Sequence, residues 1–228
     1  MERDRSAHAP MKDIVSTFIN VLRALEVAVL NTVVDDDGTG LYVILQGEGF
    51  LGQINSMRIN LPEGAAYKSS SVPIASLGEL PPFPVCLAAL SSRSFLSSYC
   101  HRQPEPRVLT TLRLPVETLG LAVSYATMHK AGDFKLCWGC PDNAAFSVQY
   151  CDEEGFVFVE NLEVDVLFLA KAYDRVQHSR MPLQKLTAIL KHLEEIAATD
   201  LYLYVLEAGN LIIKASSPSV KEVIMYLE

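Results

Sequence analysis

PLQKLTAILKHLEEIAATDLYLYVLEAGNLIIKASSPSVKEVIMYL, residues 182–227, is the stretch on which the reading of the fold turns. Its first part, 182–197, is the clearest helix in the chain. Leu183, Leu186, Ile189, Leu190, Leu193 and Ala197 recur at helical spacing and make one apolar stripe. Gln184, Lys185, Ala188, Lys191 and His192 fall on the opposite face by the same count, and Glu194 and Glu195 come only at the end. Residues 200–206 and 210–215 then form a hairpin about Glu207-Ala208-Gly209, and 220–227 reads as a last strand.

The same order appears upstream. Residues 108–114 alternate as a strand, and 116–130 read as a helix with Pro115 at its start and Gly132 just past its end. Residues 134–140 and 146–151 are strands joined by Pro141-Asp142-Asn143; 155–162 and 164–175 are strand-like through their β-branched and aromatic content. In the first half, Ile14, Phe18, Val21, Leu22, Leu25 and Val29 predict a helix over 14–29, with Asp13 as its N-cap. Strands at 30–34 and 41–45 flank a turn from Asp35 to Gly40, and 50–61 continues the sheet with Gly52 as a bulge. A short helix is expected over 73–80, stopped by Pro81-Pro82, then strands at 83–90 and 95–101. Gln103-Pro104-Glu105-Pro106 is the best domain boundary.

Each half therefore reads helix, strands, helix, hairpin. The order of elements repeats although the residues do not. The expectation is an α+β protein of two topologically similar domains, 12–103 and 107–228, joined by a short linker at 104–106 and preceded by a mobile tail at 1–11. A single irregular α+β domain is the alternative.

Half of the 228 residues are hydrophobic and a fifth are charged, the profile of a packed globular protein. The apolar runs are too short to cross a bilayer as helices, and MERDRSAHAP lacks the apolar core of a signal peptide. Five cysteines, an odd and scattered set, point to a reducing compartment. The net charge of −8 argues against nonspecific nucleic-acid binding unless the cations gather on one face.

Little in the sequence carries chemistry. Cys137-Trp138-Gly139-Cys140 has the spacing of a redox pair or of half a zinc site, but it follows a strand and no second pair accompanies it. Asp35-Asp36-Asp37 reads as a solvated turn. No phosphate loop, nucleotide-binding loop, nucleophile elbow or paired-histidine zinc motif is present, and no catalytic set can be assembled. The polar faces of the first and last helices are short in side chain and neutral to basic; Ser16, Asn20 and Arg23 line the first. Such faces suit loose contact with a phosphate backbone without reading bases.

The arrangement resembles the sliding DNA clamp family. VLTTLRLPVETLGLAVSYATMHKA at 108–131 looks like the strand and helix that open a clamp's second domain. FKLCWGCPDNAAFSVQY at 134–150 is similar to the hairpin that follows, and 181–228 to the closing helix, hairpin and strand. Residues 166–181, ending VQHSRM, are most similar to a subunit of the heterotrimeric DNA-damage checkpoint clamp; 14–61 matches more weakly. The resemblance implies a non-catalytic subunit, without metal or cofactor, of a ring that encircles duplex DNA. Its partners would be two other clamp subunits and a clamp loader, with no membrane, and its place the nucleus. The polar helix faces would then meet DNA through Lys12, Arg23, Lys130, Lys185 and Lys191. Subunits of the family join by pairing edge strands; 155–162 alternates and carries no Pro or Lys to blunt an edge, which places Phe156, Val157, Phe158 and Val159 at a junction. Residues 103–106 are too short for the family's long interdomain connector, which favours the checkpoint clamp over the replicative one. The alternatives are a replicative clamp, a protein-binding scaffold without DNA contact, or a small metal or redox enzyme built on Cys137 and Cys140.

Overall fold

The computed structural model describes residues 11–36, 40–49, 52–60, 70–77, 107–131, 133–138, 146–169, 177–207 and 209–227. Among these residues the helices are α1 (Met11–Ala24), α2 (Val116–Met128) and α3 (Leu183–Glu195). All three close by the same device. The amide of Val27 donates to the Leu22 carbonyl, that of Ala131 to Ala126, and that of Ala198 to Leu193, each at 2.9 Å. The residue before each donor is left-handed: Glu26 at φ 59°, Lys130 at 50° and Ala197 at 56°. This turn satisfies carbonyls that a helix end otherwise leaves open. The starts repeat too. Pro115 and Pro182 precede α2 and α3 with φ of −61° and −60°, and Pro73 at −60° precedes a single 3₁₀ turn, Ile74–Ser76.

Each helix leads into a three-strand antiparallel meander. After α1 come β1 (Val29–Asp36), β2 (Leu41–Glu48) and β3 (Ile54–Asn60), followed by β4 (Ser70–Pro73). Strand β5 (Val108–Pro115) leads into α2, then β6 (Asp133–Trp138), β7 (Phe146–Cys151) and β8 (Val157–Leu162). Strands β9 (Asp165–Leu169) and β10 (Gln177–Met181) lead into α3, then β11 (Asp200–Leu206), β12 (Leu211–Ala215) and β13 (Val220–Leu227). The strand before one helix pairs with the first strand after another: β5 with β11, β10 with β6, β4 with β1. The second half is thus two like units that exchange their first strands. Strand β13 pairs antiparallel with β3 and carries the sheet across into the first half. The result is a nine-stranded sheet, β4-β1-β2-β3-β13-β12-β11-β5-β9, and a four-stranded sheet, β10-β6-β7-β8.

Side chains alternate across a strand, so directly paired residues share a face. Thr32, Leu45, Met57, Val223, Ala215, Leu201 and Leu114 pair in succession across β1, β2, β3, β13, β12, β11 and β5. All are buried. One continuous, almost wholly apolar face therefore runs through both halves. Helix α1 contributes Phe18 and Leu22 to the same core, and α3 contributes Leu186 and Leu193. On the smaller sheet Phe134, Leu136, Val148 and Tyr150 make the buried face, and α2 packs on β7 and β8. Each large apolar side chain buried this way stabilises by roughly 1.5–3 kcal/mol.

The three helices lie in a row on one side. Helix α1 packs on α3, and α3 on α2. Thr17 meets His192, while Leu25 and Glu26 share a cavity wall with Lys185, so α1 and α3 run antiparallel.

Several expectations shift. The helix predicted over 14–29 spans Met11–Ala24; Leu25, Val27 and Val29 continue the apolar count, but the chain turns at Glu26. Asp13 lies inside the first turn and is not its cap. The helix expected over 73–80 is only the 3₁₀ turn, with Leu77 already extended. The second helix of the first domain is thus not matched among the described residues. Of the strand expected over 164–175, Asp165–Leu169 form β9, and 170–175 lie outside the described residues. The strands at 83–90 and 95–101, the 104–106 linker and Cys140 lie outside the described residues.

Candidate nucleic-acid face and assembly seam

Both predicted surfaces are built from the helix row and the sheet edges beside it. The solvent side of the row carries Asp13, Asn20 and Arg23 on α1, Gln184, Thr187, Lys191 and Glu194 on α3, and Glu117, Ser124 and Thr127 on α2. Cations and anions are mixed along it, and short polar side chains separate them.

The basic residues expected there stand in different surroundings. Lys12 and Lys191 are exposed on α1 and α3. Arg23 donates from Nη1 to Asn20 Oδ1 at 3.1 Å and from Nη2 to the Leu77 carbonyl, strapping α1 to the 3₁₀ turn. Lys130 stands beyond the end of α2, 3.5 Å from Glu153, in an exposed pair that contributes little. Lys185 is half-buried against a cavity of about 380 Å³, whose other walls include Glu26, Glu48, Gln53, Asn55 and Tyr226. The structure brings Lys12, Arg23 and Lys191 onto neighbouring helices and leaves Lys130 and Lys185 in other surroundings.

His192 departs furthest from its expected place. Helical spacing set it on the polar face of α3, yet it is fully buried between α3 and α1. Its Nδ1 lies 2.8 Å from Thr17 Oγ1 and its ring 5.4 Å from that of Phe18. Burial holds its pKa down at about 3. A sequence stripe fixes only the side of a helix that meets its own sheet; a neighbouring helix takes a second side.

The assembly seam occurs twice, once closed and once open. In the closed seam, β13 pairs with β3 and α3 packs on α1. Strand β8 and helix α2 occupy the same places in the other unit, but among the described residues β8 is an edge of its sheet. Phe156, Val157 and Val159 are more than half exposed, while Phe158 turns inward, with its ring 4.3 Å from that of His129 and 5.1 Å from that of Tyr150. Among the described residues no strand covers the free side of this segment. The Tyr150 hydroxyl donates to Glu160 Oε1 at 2.9 Å. Burial, then this bond, pushes its pKa up to about 12.

On α2 the matching side is Leu121, Tyr125 and Met128, all exposed. They interrupt what would otherwise be the polar side of the helix. The signal that explains them is the common helix ending, which aligns Tyr125 with the covered His192. Val166, Leu167, Phe168 and Leu169 of β9 are exposed as well. Apart from Val29 and Ile54, the large exposed apolar side chains among the described residues lie on α2, on β9, and on β8 with Phe156 just before it.

The cysteine pair gains no support as a centre. Cys137 sits within β6, half-buried, with Sγ 3.7 Å from Gln149 Oε1, and burial pushes its thiol pKa up. That disfavours the reactive thiolate. Among the described residues no group of three or more His, Cys, Asp or Glu side chains is placed to hold a metal.

No family model matches the sequence, and no curated protein matches it. Solved structures do match. The DNA polymerase sliding clamp from Caulobacter crescentus superposes with a TM-score of 0.56 at 16% identity, over 100% of this chain and 67% of that one. A second Caulobacter crescentus structure, of the polymerase III beta subunit, gives 0.53 at 17% identity over 100% of this chain and 68% of its own. The sliding clamp from Bartonella birtlesii LL-WM9, the beta subunit of DNA polymerase III, gives 0.58 at 12% identity over 93% of this chain and 65% of its own. The chain spans about two thirds of the length of these clamps, and its fold is the sliding-clamp fold.

Proposed function

We propose that the chain is a non-catalytic subunit of a ring that encircles duplex DNA. The observation that carries this is the pair of seams. One chain already joins two like units through β13–β3 and α3–α1. It then leaves the equivalent β8 edge and α2 side open and apolar. A chain built this way is extended by a further unit of the same kind, and repeated extension with a constant turn closes a ring.

The helix row is the surface offered to DNA. Its charge is mixed, so attraction to phosphate is weak and the closed ring, rather than tight contact, holds the duplex. Lys12, Arg23 and Lys191 supply the attraction. Service in the DNA-damage checkpoint as one of three different subunits, placement in the nucleus and handling by a clamp loader belong to the same proposal and are supported by the sequence resemblance. A replicative role is the second reading, favoured by the fold match to DNA polymerase clamps.

The test is retention on circular DNA after loading with partner subunits. Lys191→Glu together with Lys12→Glu is expected to shorten retention several-fold and to flatten its salt dependence. Unchanged retention and salt slope in a properly folded variant would show that the helix row does not face DNA.

A further inference from the structure

The closed seam contains a symmetry that the open one can use. Its two sides, α1 with β3 and α3 with β13, are copies of one unit, and they meet antiparallel both in the helices and in the strands. The helix ends align Val27 with Ala131 and Ala198. The strand registers then align Asn55 with Phe158 and Val223. In the closed seam Val223 pairs with Met57 and Ile224 with Ser56. Carried over to two copies of β8, that register sets Phe158 opposite Glu160 of the second copy and Val159 opposite itself. The two Glu160 carboxylates do not face each other. The same transfer converts the Thr17–His192 contact into Leu121 against Tyr125, twice, about a two-fold axis. It also brings Lys130 to the level of Glu117.

We infer that a second copy of this chain docks on the α2 and β8 face, forming a two-fold dimer with Val159 on its axis. The occupant is argued from continuity with the closed seam and from self-complementarity. The exposed Leu121, Tyr125, Val157 and Val159 are apolar, and the transferred register pairs these residues with apolar or neutral ones. A face that must match itself has to avoid like charges about its axis, and this one does. The dimer occupies the junction that a ring neighbour would use, so the two assemblies exclude each other. This inference rests on the seam assigned above but needs neither DNA nor any other subunit.

The experiment is oxidative cross-linking of the full chain alone, with Val159→Cys and Val157→Cys compared against the wild type. Opposed residues of an antiparallel pair have Cα atoms about 4.5–5.5 Å apart, within disulfide range. Val159→Cys is expected to form an interchain disulfide at least tenfold above the wild-type background, giving a covalent species of twice 25.1 kDa. Val157→Cys, which faces Asn161 of the second copy, is expected to stay at background. Sizing of the reduced wild type is expected to show a concentration-dependent dimer that Val159→Lys abolishes with the circular dichroism spectrum unchanged. A monomer at tens of micromolar, a dimer that survives Val159→Lys, or cross-linking stronger at Val157→Cys than at Val159→Cys would each overturn the inference. Any of these would leave the ring reading to its own test on DNA. Binding of a different clamp subunit to a chain that never self-associates would likewise overturn it.

Discussion

Thr17 Oγ1 and His192 Nδ1 lie 2.8 Å apart across the α1–α3 contact, and the Thr17 hydroxyl also reaches the Ile14 carbonyl at 3.0 Å. The hydroxyl has one proton. If Ile14 receives it, Nδ1–H is the donor to Thr17, and the buried Nε2 is left as an acceptor that finds no hydrogen-bond partner among the described residues. The helix pair that closes the seam is therefore held by a neutral imidazole.

This gives a pH prediction with a definite sign. The folded pKa of His192 is about 3, below its ordinary 6.5, because burial penalises the charged ring. The unfolded chain then binds the proton first as the pH falls. The contribution to stability is fully present above about 6.5 and is lost progressively down to about 3. The slope from one such group is at most about 1.4 kcal/mol per pH unit. Urea midpoints measured from pH 7 to pH 4 are expected to fall for the wild type and to fall less for His192→Leu. Parallel curves would mean that His192 carries none of the acid sensitivity.

Gly47, in β2 beneath the end of α1, makes a steric prediction. A Cβ there would collide with Val27 Cγ1, press on the Val29 carbonyl and only touch Leu22 Cδ2. Val27 is buried where the chain turns out of α1 into β1, so it has little room to withdraw. Gly47→Ala is expected to cost roughly 1–3 kcal/mol as overpacking. Gly209→Asn is the control: φ is +87°, a Cβ there would meet nothing within 4 Å, and Asn tolerates left-handed backbone. Thermal unfolding of both variants checks this, and an unaltered midpoint for Gly47→Ala would refute it.

These two sites also show what the sequence could and could not reveal. Helix α3 and the hairpin after it were legible because Leu186, Ile189, Leu190 and Leu193 repeat strictly and Leu201, Leu203 and Val205 alternate against a core on one side only. The end of α1 was not legible. Leu25, Val27 and Val29 keep the apolar rhythm through a left-handed turn at Glu26, where no glycine marks the break. The repeat of units was visible as an order of elements but not as residues, because equivalent places hold Gly47, Tyr150 and Ala215, which fit different neighbours. His192 was misplaced for a related reason: one stripe cannot report a second helix at the side. The edge position of β8 could be anticipated from its unblunted alternation, whereas the open side of α2 needed the closed seam for comparison.

Tyr150 offers an alkaline counterpart. Its hydroxyl is buried and bonded to Glu160, and its pKa stands at about 12. A raised folded pKa contributes stability that is complete below about 10 and is lost as pH rises through 12. In a spectrophotometric titration of the folded protein, one of the nine tyrosines is expected to ionise only near pH 12, and Tyr150→Phe is expected to remove that late step. If the late step persists in Tyr150→Phe, it belongs to another tyrosine.

The last prediction concerns β9. Among the described residues it is an edge of the nine-stranded sheet, bound to β5 on one side, and every one of its residues is exposed. Its sequence is DVLFL, with no lysine or proline within it to discourage a passing strand. Leu167 and Phe168 are about half exposed and lie beside the bulge between Thr111 and Leu112 of β5. Removing them from solvent on folding therefore contributes little, while exposing them invites association through the open edge. Leu167→Lys is expected to leave the unfolding midpoint within about 0.5 kcal/mol of the wild type, as surface changes usually do. It is also expected to slow turbidity growth on heating. Because β9 lies on a different sheet from β8, the variant is further expected to cross-link through Val159→Cys as the parent does. A large loss of stability would place Leu167 in packing that the exposed strand does not show. Unchanged aggregation would move the liability to α2 and β8, where Tyr125→Glu is the variant that separates the two surfaces.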